Sequence, residues 1–402
     1  MSLHDVVSAE RLHIGFFGMR NTGKSSLVNA ITSQQLAVVS DVKGTTTDPV
    51  KKAMELLPLG PVVIIDTPGL DDEGELGSLR IKKAKQELAH TDIAVLVVDG
   101  TAGLCPMDED LVKSFKERKI PYVIVYNKVD LIAERQKLGK DSCYVSSHTG
   151  EGIHELKETL GRFAEQKKNP KVLVSDLLDL GDLVVLVIPV DEPAPKGRLI
   201  LPQQLVLRDI LDHNAMAAVC QDTELKATLE KLAVKPKLVI TDSQAFEKVS
   251  KDVPEDIPLT SFSILMARYK GDLGVLTRGA MALSSLKDGD HVLISEGCTH
   301  HRQCMDIGTV KMPHWIENFS GAKLEYSFTS GGEFPDDLSE YALVVHCGGC
   351  MLNEAEMKHR MEKTVKSGTP IVNYGTAIAH MHGILQRSLQ PIPGAAEVIS
   401  PK

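Results

Sequence analysis

Short apolar runs alternate along this chain with stretches whose apolar positions recur every three or four residues. Runs at 12–17, 62–66, 93–99, 122–127 and 143–146 predict strands. Residues 53–57 are expected to pair antiparallel with 62–66 across Pro58-Leu59-Gly60-Pro61. After a polar, Pro-ended break at Lys167-Lys168-Asn169-Pro170, the pattern resumes with a strand at 184–188 and a Pro-rich loop at 189–202. Helices at 203–212 and 223–232 and strands at 217–220 and 238–241 follow. A crossover at 258–270 and a helix at 272–286 lead into strands at 291–296, 341–345 and 370–374 and a closing helix. Strands that alternate with helices build mostly parallel sheets covered on both faces. The expected fold class is α/β with three domains, 1–170, 171–265 and 266–402.

The first predicted strand runs into Gly18-Met19-Arg20-Asn21-Thr22-Gly23-Lys24-Ser25, with Ser26 opening a helical pattern. G-x-x-x-x-G-K-S between a strand and a helix is a phosphate-binding P-loop. Its glycines let backbone N–H groups wrap phosphate oxygens. Lys24 adds a point charge, Ser25 offers a hydroxyl to Mg2+, and the helix dipole favours the anion. A nucleoside triphosphate is therefore the expected ligand.

Ligands of such sheets sit beyond strand carboxyl ends, and the remaining motifs lie there. Asp66-Thr67-Pro68-Gly69 follows the strand at 62–66: Asp66 can hold Mg2+ through water, and the Gly69 amide can meet the γ-phosphate. Asn127-Lys128-Val129-Asp130 follows the strand at 122–127. A carboxylate at Asp130 can accept from guanine N1–H and N2–H2, a donor pair adenine lacks, so the base is read as guanine. Ser146-Ser147-His148 lies where a further loop would back the base. Residues 71–80, rich in Gly, Asp and Glu, read as a mobile switch loop.

Composition narrows the class. With 402 residues, 43% hydrophobic and 25% charged, the chain reads as a soluble globular protein. A net charge of −9 and only 4% aromatic residues argue against a nucleic-acid surface. No apolar run approaches the ~20 residues needed to span a bilayer, and the opening residues do not resemble a signal peptide. A cytoplasmic location away from membranes is expected. Of seven cysteines, Cys298, Cys304, Cys347 and Cys350 crowd into the last third. In a reducing compartment such a group suggests metal or redox chemistry.

Cys298 lies just past the strand at 291–296, in Gly297-Cys298-Thr299-His300. His346-Cys347-Gly348-Gly349-Cys350 lies at the end of the strand at 341–345. Both groups can therefore meet. Asn353-x-x-Glu356 suits a helix cap, and thiols near a helix N-terminus are expected to have lowered pKa values. Cys298, Cys347 and Cys350 suit a 4Fe–4S cluster with one exchangeable iron; His300, His346, a carboxylate or solvent could be the fourth ligand. With Cys304 the same thiols could hold a structural zinc, and spacing alone leaves the two metals equally open.

The first domain resembles the G domain of TrmE–Era GTPases. That resemblance implies GTP hydrolysis with Lys24, Thr46, Asp66 and Gly69 as acting residues, Thr46 joining Ser25 on Mg2+. Leu70 stands where Ras-like enzymes carry a water-positioning glutamine, so intrinsic hydrolysis should be slow. Asn21 becomes a candidate K+ ligand, with a turn-forming Asn as the alternative. Taken whole, the domain order and the Cys-x-His…His-Cys-x-x-Cys constellation, with 45 residues between its halves, resemble the HydF family of FeFe-hydrogenase maturation GTPases. Membership would imply a homodimer carrying a 4Fe–4S cluster on Cys298, Cys347 and Cys350. It would receive a di-iron precursor from the radical-SAM maturases HydE and HydG and deliver it to apo FeFe-hydrogenase. The alternative is a ribosome-assembly or tRNA-modification GTPase with a zinc-stabilised tail.

Overall fold

The computed structural model describes residues 10–32, 49–69, 83–84, 86–167, 172–190, 199–297 and 307–399. They fall into two compact units that divide after Pro170.

The first unit is built on a six-stranded sheet of β1 (Leu12–Phe17), β2 (Val50–Leu56), β3 (Gly60–Asp66), β4 (Ile93–Asp99), β5 (Tyr122–Asn127) and β6 (Ser142–Tyr144). The order is β2-β3-β1-β4-β5-β6. All neighbours are parallel except β2, which runs antiparallel to β3 with Val50 opposite Asp66. The apolar runs are continuous because both faces are covered. From β4, Ile93, Val95 and Val97 join one core with α1 (Lys24–Thr32) and α3 (Ile153–Lys167). Ala94, Leu96 and Val98 join the other, with Leu111 and Phe115 of α2 (Pro106–Glu117).

The second unit contains two four-stranded, wholly parallel sheets. The first has the order β10-β9-β7-β8, from β7 (Leu183–Val187), β8 (Met216–Cys220), β9 (Leu238–Thr241) and β10 (Leu259–Ser261). Its helices are α4 (Leu201–Asp212), α5 (Leu225–Lys231), α6 (Phe246–Asp252) and α7 (Phe262–Lys270). Pro202 sits in the first turn of α4, where its missing N–H costs nothing. The second sheet has the order β12-β11-β13-β14, from β11 (His291–Glu296), β12 (Glu325–Ser330), β13 (Leu343–His346) and β14 (Ile371–Asn373). Around it lie α8 (Leu273–Met281), α9 (Met312–Ser320), α10 (Glu354–Lys366) and α11 (Tyr374–Met381). Residues of both sheets belong to one continuous apolar core.

The structure adds elements to the expected pattern. The stretch expected as a crossover holds β10 and α7. β10 is only Leu-Thr-Ser, too short to show a period. Strand β12 is a second addition: Glu-Tyr-Ser-Phe-Thr-Ser has no apolar run because it is an edge strand, incompletely covered on both faces. Among the described residues, no helix is long and apolar enough to cross a membrane.

Close backbone approach fixes α8 on the sheet. A Cβ at Gly279 would stand 1.8 Å from the Ile371 carbonyl oxygen of β14. Gly279→Ala is accordingly expected to destabilise this unit by about 3 kcal/mol, read as a lower urea midpoint with an unchanged slope.

Candidate functional site

The loop after β1 wraps as the P-loop pattern requires. Gly18 (φ 138°) and Gly23 (φ 87°) take left-handed backbone, as does Asn21 (φ 61°), the conformation its turn-forming alternative demands. Side chains are excluded as well: a Cβ on Gly18 would lie 2.2 Å from Val97 O, and one on Gly23 2.3 Å from the Asn127 amide nitrogen. The buried Lys24 ammonium donates to Gly18 O at 3.0 Å and Met19 O at 2.7 Å, and Thr22 Oγ1 donates to Met19 O at 2.9 Å. Ser25 and Ser26 lie in the first turn of α1.

Asp66, at the carboxyl end of β3, is buried. Ser25 Oγ donates to its Oδ2 at 2.8 Å, while its Oδ1 is buried without a hydrogen-bond partner among the described residues. Burial pushes its carboxyl pKa up, against the opposing pull of Ser25 and Lys24. A carboxylate oxygen left in this state beside a serine hydroxyl fits a hydrated Mg2+. Thr67 anchors the turn, its N and Oγ1 donating to Phe16 O at 3.2 and 2.6 Å. Gly69 follows so close to the P-loop that a Cβ would meet Arg20 Cα at 2.8 Å. Thr46, Leu70 and the stretch 71–80 lie outside the described residues.

Asn127 joins the two halves of the nucleotide site. Fully buried, it donates from Nδ2 to Thr22 O at 2.9 Å and accepts the Ser147 N–H on Oδ1 at 3.0 Å. Lys128, in left-handed backbone, reaches Asp99 Oδ2 at 2.6 Å, and Asp99 sits below the ordinary carboxylate range with Lys128 and Thr101 hydrogen bonds outweighing desolvation. Asp99 is absent from the sequence expectations; its one signal is a carboxylate ending the strand next to β5. Asp130 is exposed. Ser146 Oγ donates to its Oδ1 at 2.5 Å and lowers its pKa. The Ser146 hydroxyl thus fixes the Asp130 carboxylate in place.

At the end of the second sheet, parallel pairing of β11 with β13 sets Ser295 opposite His346. The chain leaving β11 therefore meets the chain leaving β13. Gly297 N donates to Cys347 Sγ at 3.0 Å, and Gly349 N approaches the same sulfur at 3.4 Å. Two backbone N–H groups, one from each strand end, thus converge on one sulfur. Cys298, His300 and Cys304 lie outside the described residues. Among the described residues no three His, Cys, Asp or Glu side chains gather as a metal site.

Asn353 caps α10, its Oδ1 accepting the Glu356 N–H at 3.1 Å. Cys350, however, is not lowered by that nearby helix start. Burial pushes its thiol up to about 11, Cys347 adding to the effect and Lys270 opposing it.

His346 is buried with both ring nitrogens engaged. Arg360 Nη1 lies 3.2 Å from Nε2, and the Cys347 carbonyl 2.8 Å from Nδ1. Because guanidinium only donates, Nε2 accepts and Nδ1 carries the proton. The ring thus braces Cys347 and has no nitrogen lone pair to spare. Arg360 is itself fully buried. Nε bonds Glu356 at 2.7 Å, Nη1 reaches Ser295 Oγ at 3.3 Å, and Nη2 bonds Gly331 O at 2.6 Å. Its spacing to Glu356 is that of an ordinary surface pair.

Comparison with known proteins fits this arrangement. Residues 173–271 match the Hydrogen maturase F dimerization domain, and 274–391 match the Hydrogen maturase F tetramerization domain. The chain belongs to the HydF family. Residues 13–128 match a 50S ribosome-binding GTPase domain, so the first unit of this HydF chain is a GTPase domain. The tRNA modification GTPase MnmE of Laribacter hongkongensis is 33% identical over 156 residues, 38% of this chain and 34% of that protein. MnmE of Legionella pneumophila (strain Corby) is 36% identical over 159 residues, 39% of this chain and 35% of that protein. The match thus spans about a third of those relatives' length. The crystal structure of an Aquifex aeolicus Era variant bound to GDP.AlF4- aligns at 17% identity, 81% of this chain and 94% of that one, with a TM-score of 0.34.

Guanine recognition by the HydF chain is directly testable. Asp130→Asn is expected to lower GTP affinity at least about a hundredfold and to improve binding of xanthosine triphosphate. Equal competition by GTP and ATP for the parent protein would refute the assignment.

Proposed function

We propose that this chain is a GTP-controlled scaffold and carrier for hydrogenase maturation. It holds a 4Fe–4S cluster on Cys298, Cys347 and Cys350 and delivers a di-iron precursor to apo FeFe-hydrogenase. The observation that carries the reading is the Gly297 N–H on Cys347 Sγ, which joins the strand end leading to Cys298 to the other two cysteines. A cluster bound by three thiolates keeps one iron position open for exchange. The braced His346 ring favours His300, a carboxylate or solvent at that position. HydE and HydG are the proposed donors of the precursor, and the cytoplasm the proposed location.

GTP turnover in this reading gates partner exchange. Ser25 and Asp66, with Thr46, would hold Mg2+; Lys24 and the Gly69 amide would meet the phosphates. Leu70 implies a slow intrinsic rate, and Asn21 is proposed to hold K+ beside the phosphates. A homodimer is supported by the dimerization-domain match and by Met216 and Val219, exposed apolar side chains on the edge strand β8.

Anaerobic reconstitution of the full chain with iron and sulfide is expected to give a brown protein that activates apo FeFe-hydrogenase once loaded with the di-iron unit. Cys347→Ser and Cys350→Ser should each lose most of the bound iron. A colourless protein holding stoichiometric zinc would instead support a zinc-stabilised GTPase of the tRNA-modification type. Hydrolysis should be faster in K+ than in Na+; equal rates would remove the Asn21 role.

A further inference from the structure

Lys270 ends α7, outside the nucleotide and cysteine motifs, yet only 2% of it is exposed. Its ammonium donates to Cys350 O at 3.1 Å and Leu352 O at 2.9 Å. It therefore grips the turn between the last cysteine and the Asn353 cap. The helix carrying it closes the stretch matched as the dimerization domain, whereas the turn belongs to the stretch matched as the tetramerization domain. Farther along the same helix face, Asn373 Nδ2 donates to Ser263 O at 3.1 Å, so α7 is tied to the end of β14 as well.

Burying an ammonium costs several kcal/mol unless negative charge offsets it. A methionine would fill the same space without that cost. What the position gains from a cation is evident next door. The ammonium bonds the Cys350 carbonyl directly, at 3.1 Å, and Cys347 stands three residues before it on the same loop. A site that must hold several thiolates together has use for a fixed positive charge. Arg360 brings a second buried charge to the start of the same loop, against His346.

We propose that Lys270 is a positioning residue of the cysteine site, its buried charge stabilising the assembled thiolates while its hydrogen bonds hold the Cys350 turn. The proposal rests on the metal-site reading above. It also fixes a sign. An electron added to a bound cluster increases the negative charge beside Lys270, so removing that cation disfavours the reduced state and lowers the reduction potential.

The test uses the full chain with Lys270→Met, Lys270→Gln and Lys270→Arg, reconstituted anaerobically alongside the parent. Reading out are EPR-monitored redox titration, iron release to a chelator, and thermal melting of the metal-free forms. Met and Gln should melt like the parent when metal-free, yet show a lower midpoint potential and release iron several-fold faster; Arg should stay near the parent in both. Parent-like potential and release in Met and Gln would overturn the proposal. So would metal-free Met and Gln variants that fail to fold, since the ammonium would then serve the fold and not the thiolates. A parent that binds zinc and no iron defeats the cluster reading separately. Zinc release then decides for Lys270, faster loss from Met and Gln supporting it and equal loss overturning it.

Discussion

Parallel pairing of β11 with β13 is the constraint on which the second unit's chemistry depends. In a parallel sheet both strands end on the same side, so segments about fifty residues apart in sequence leave the sheet together. The register does the rest. With Ser295 opposite His346, the amide two residues on, that of Gly297, points to the Cys347 sulfur. A slip of one residue would turn the alternating side chains over and send His346 to the opposite face, away from Arg360. The neighbouring sheet β10-β9-β7-β8 shares this core, and its last helix supplies the lysine that grips the Cys350 turn.

The nucleotide unit solves the corresponding problem with one side chain. Asn127 donates to the P-loop and accepts from the loop that carries Ser147. The P-loop and the loop carrying Ser147 are thereby tied through a residue that contributes little surface of its own. Around it, Ser146 and Asp99 each hold one member of the Asn127-Lys128-Val129-Asp130 motif, Ser146 fixing Asp130 and Asp99 fixing Lys128.

Much of this is legible in the chain itself, for identifiable reasons. Doubly covered parallel strands such as β4 and β5 appear as unbroken apolar runs, and glycines at Gly18 and Gly23 mark backbone that no other residue would adopt cheaply. Strand β12 and the three-residue β10 are not legible, because an edge strand and a very short one need no apolar run. The polar support of the cysteine site is harder still. Glu356 and Arg360 stand one helical turn apart, as solvated pairs do, and Lys270 ends a helix as many lysines do. Only tertiary packing turns these into interior charges.

The interior pair Glu356–Arg360 also restricts how this protein can diverge. Losing either partner alone leaves a buried ion without the counter-charge it now bonds, a loss of about 3–5 kcal/mol. Replacing both together by packed apolar side chains could be nearly neutral for the fold. The two positions should therefore change in concert or not at all. Any lineage that made the exchange would also release the His346 ring from the donor that now fixes its tautomer, leaving its nitrogens free for other chemistry.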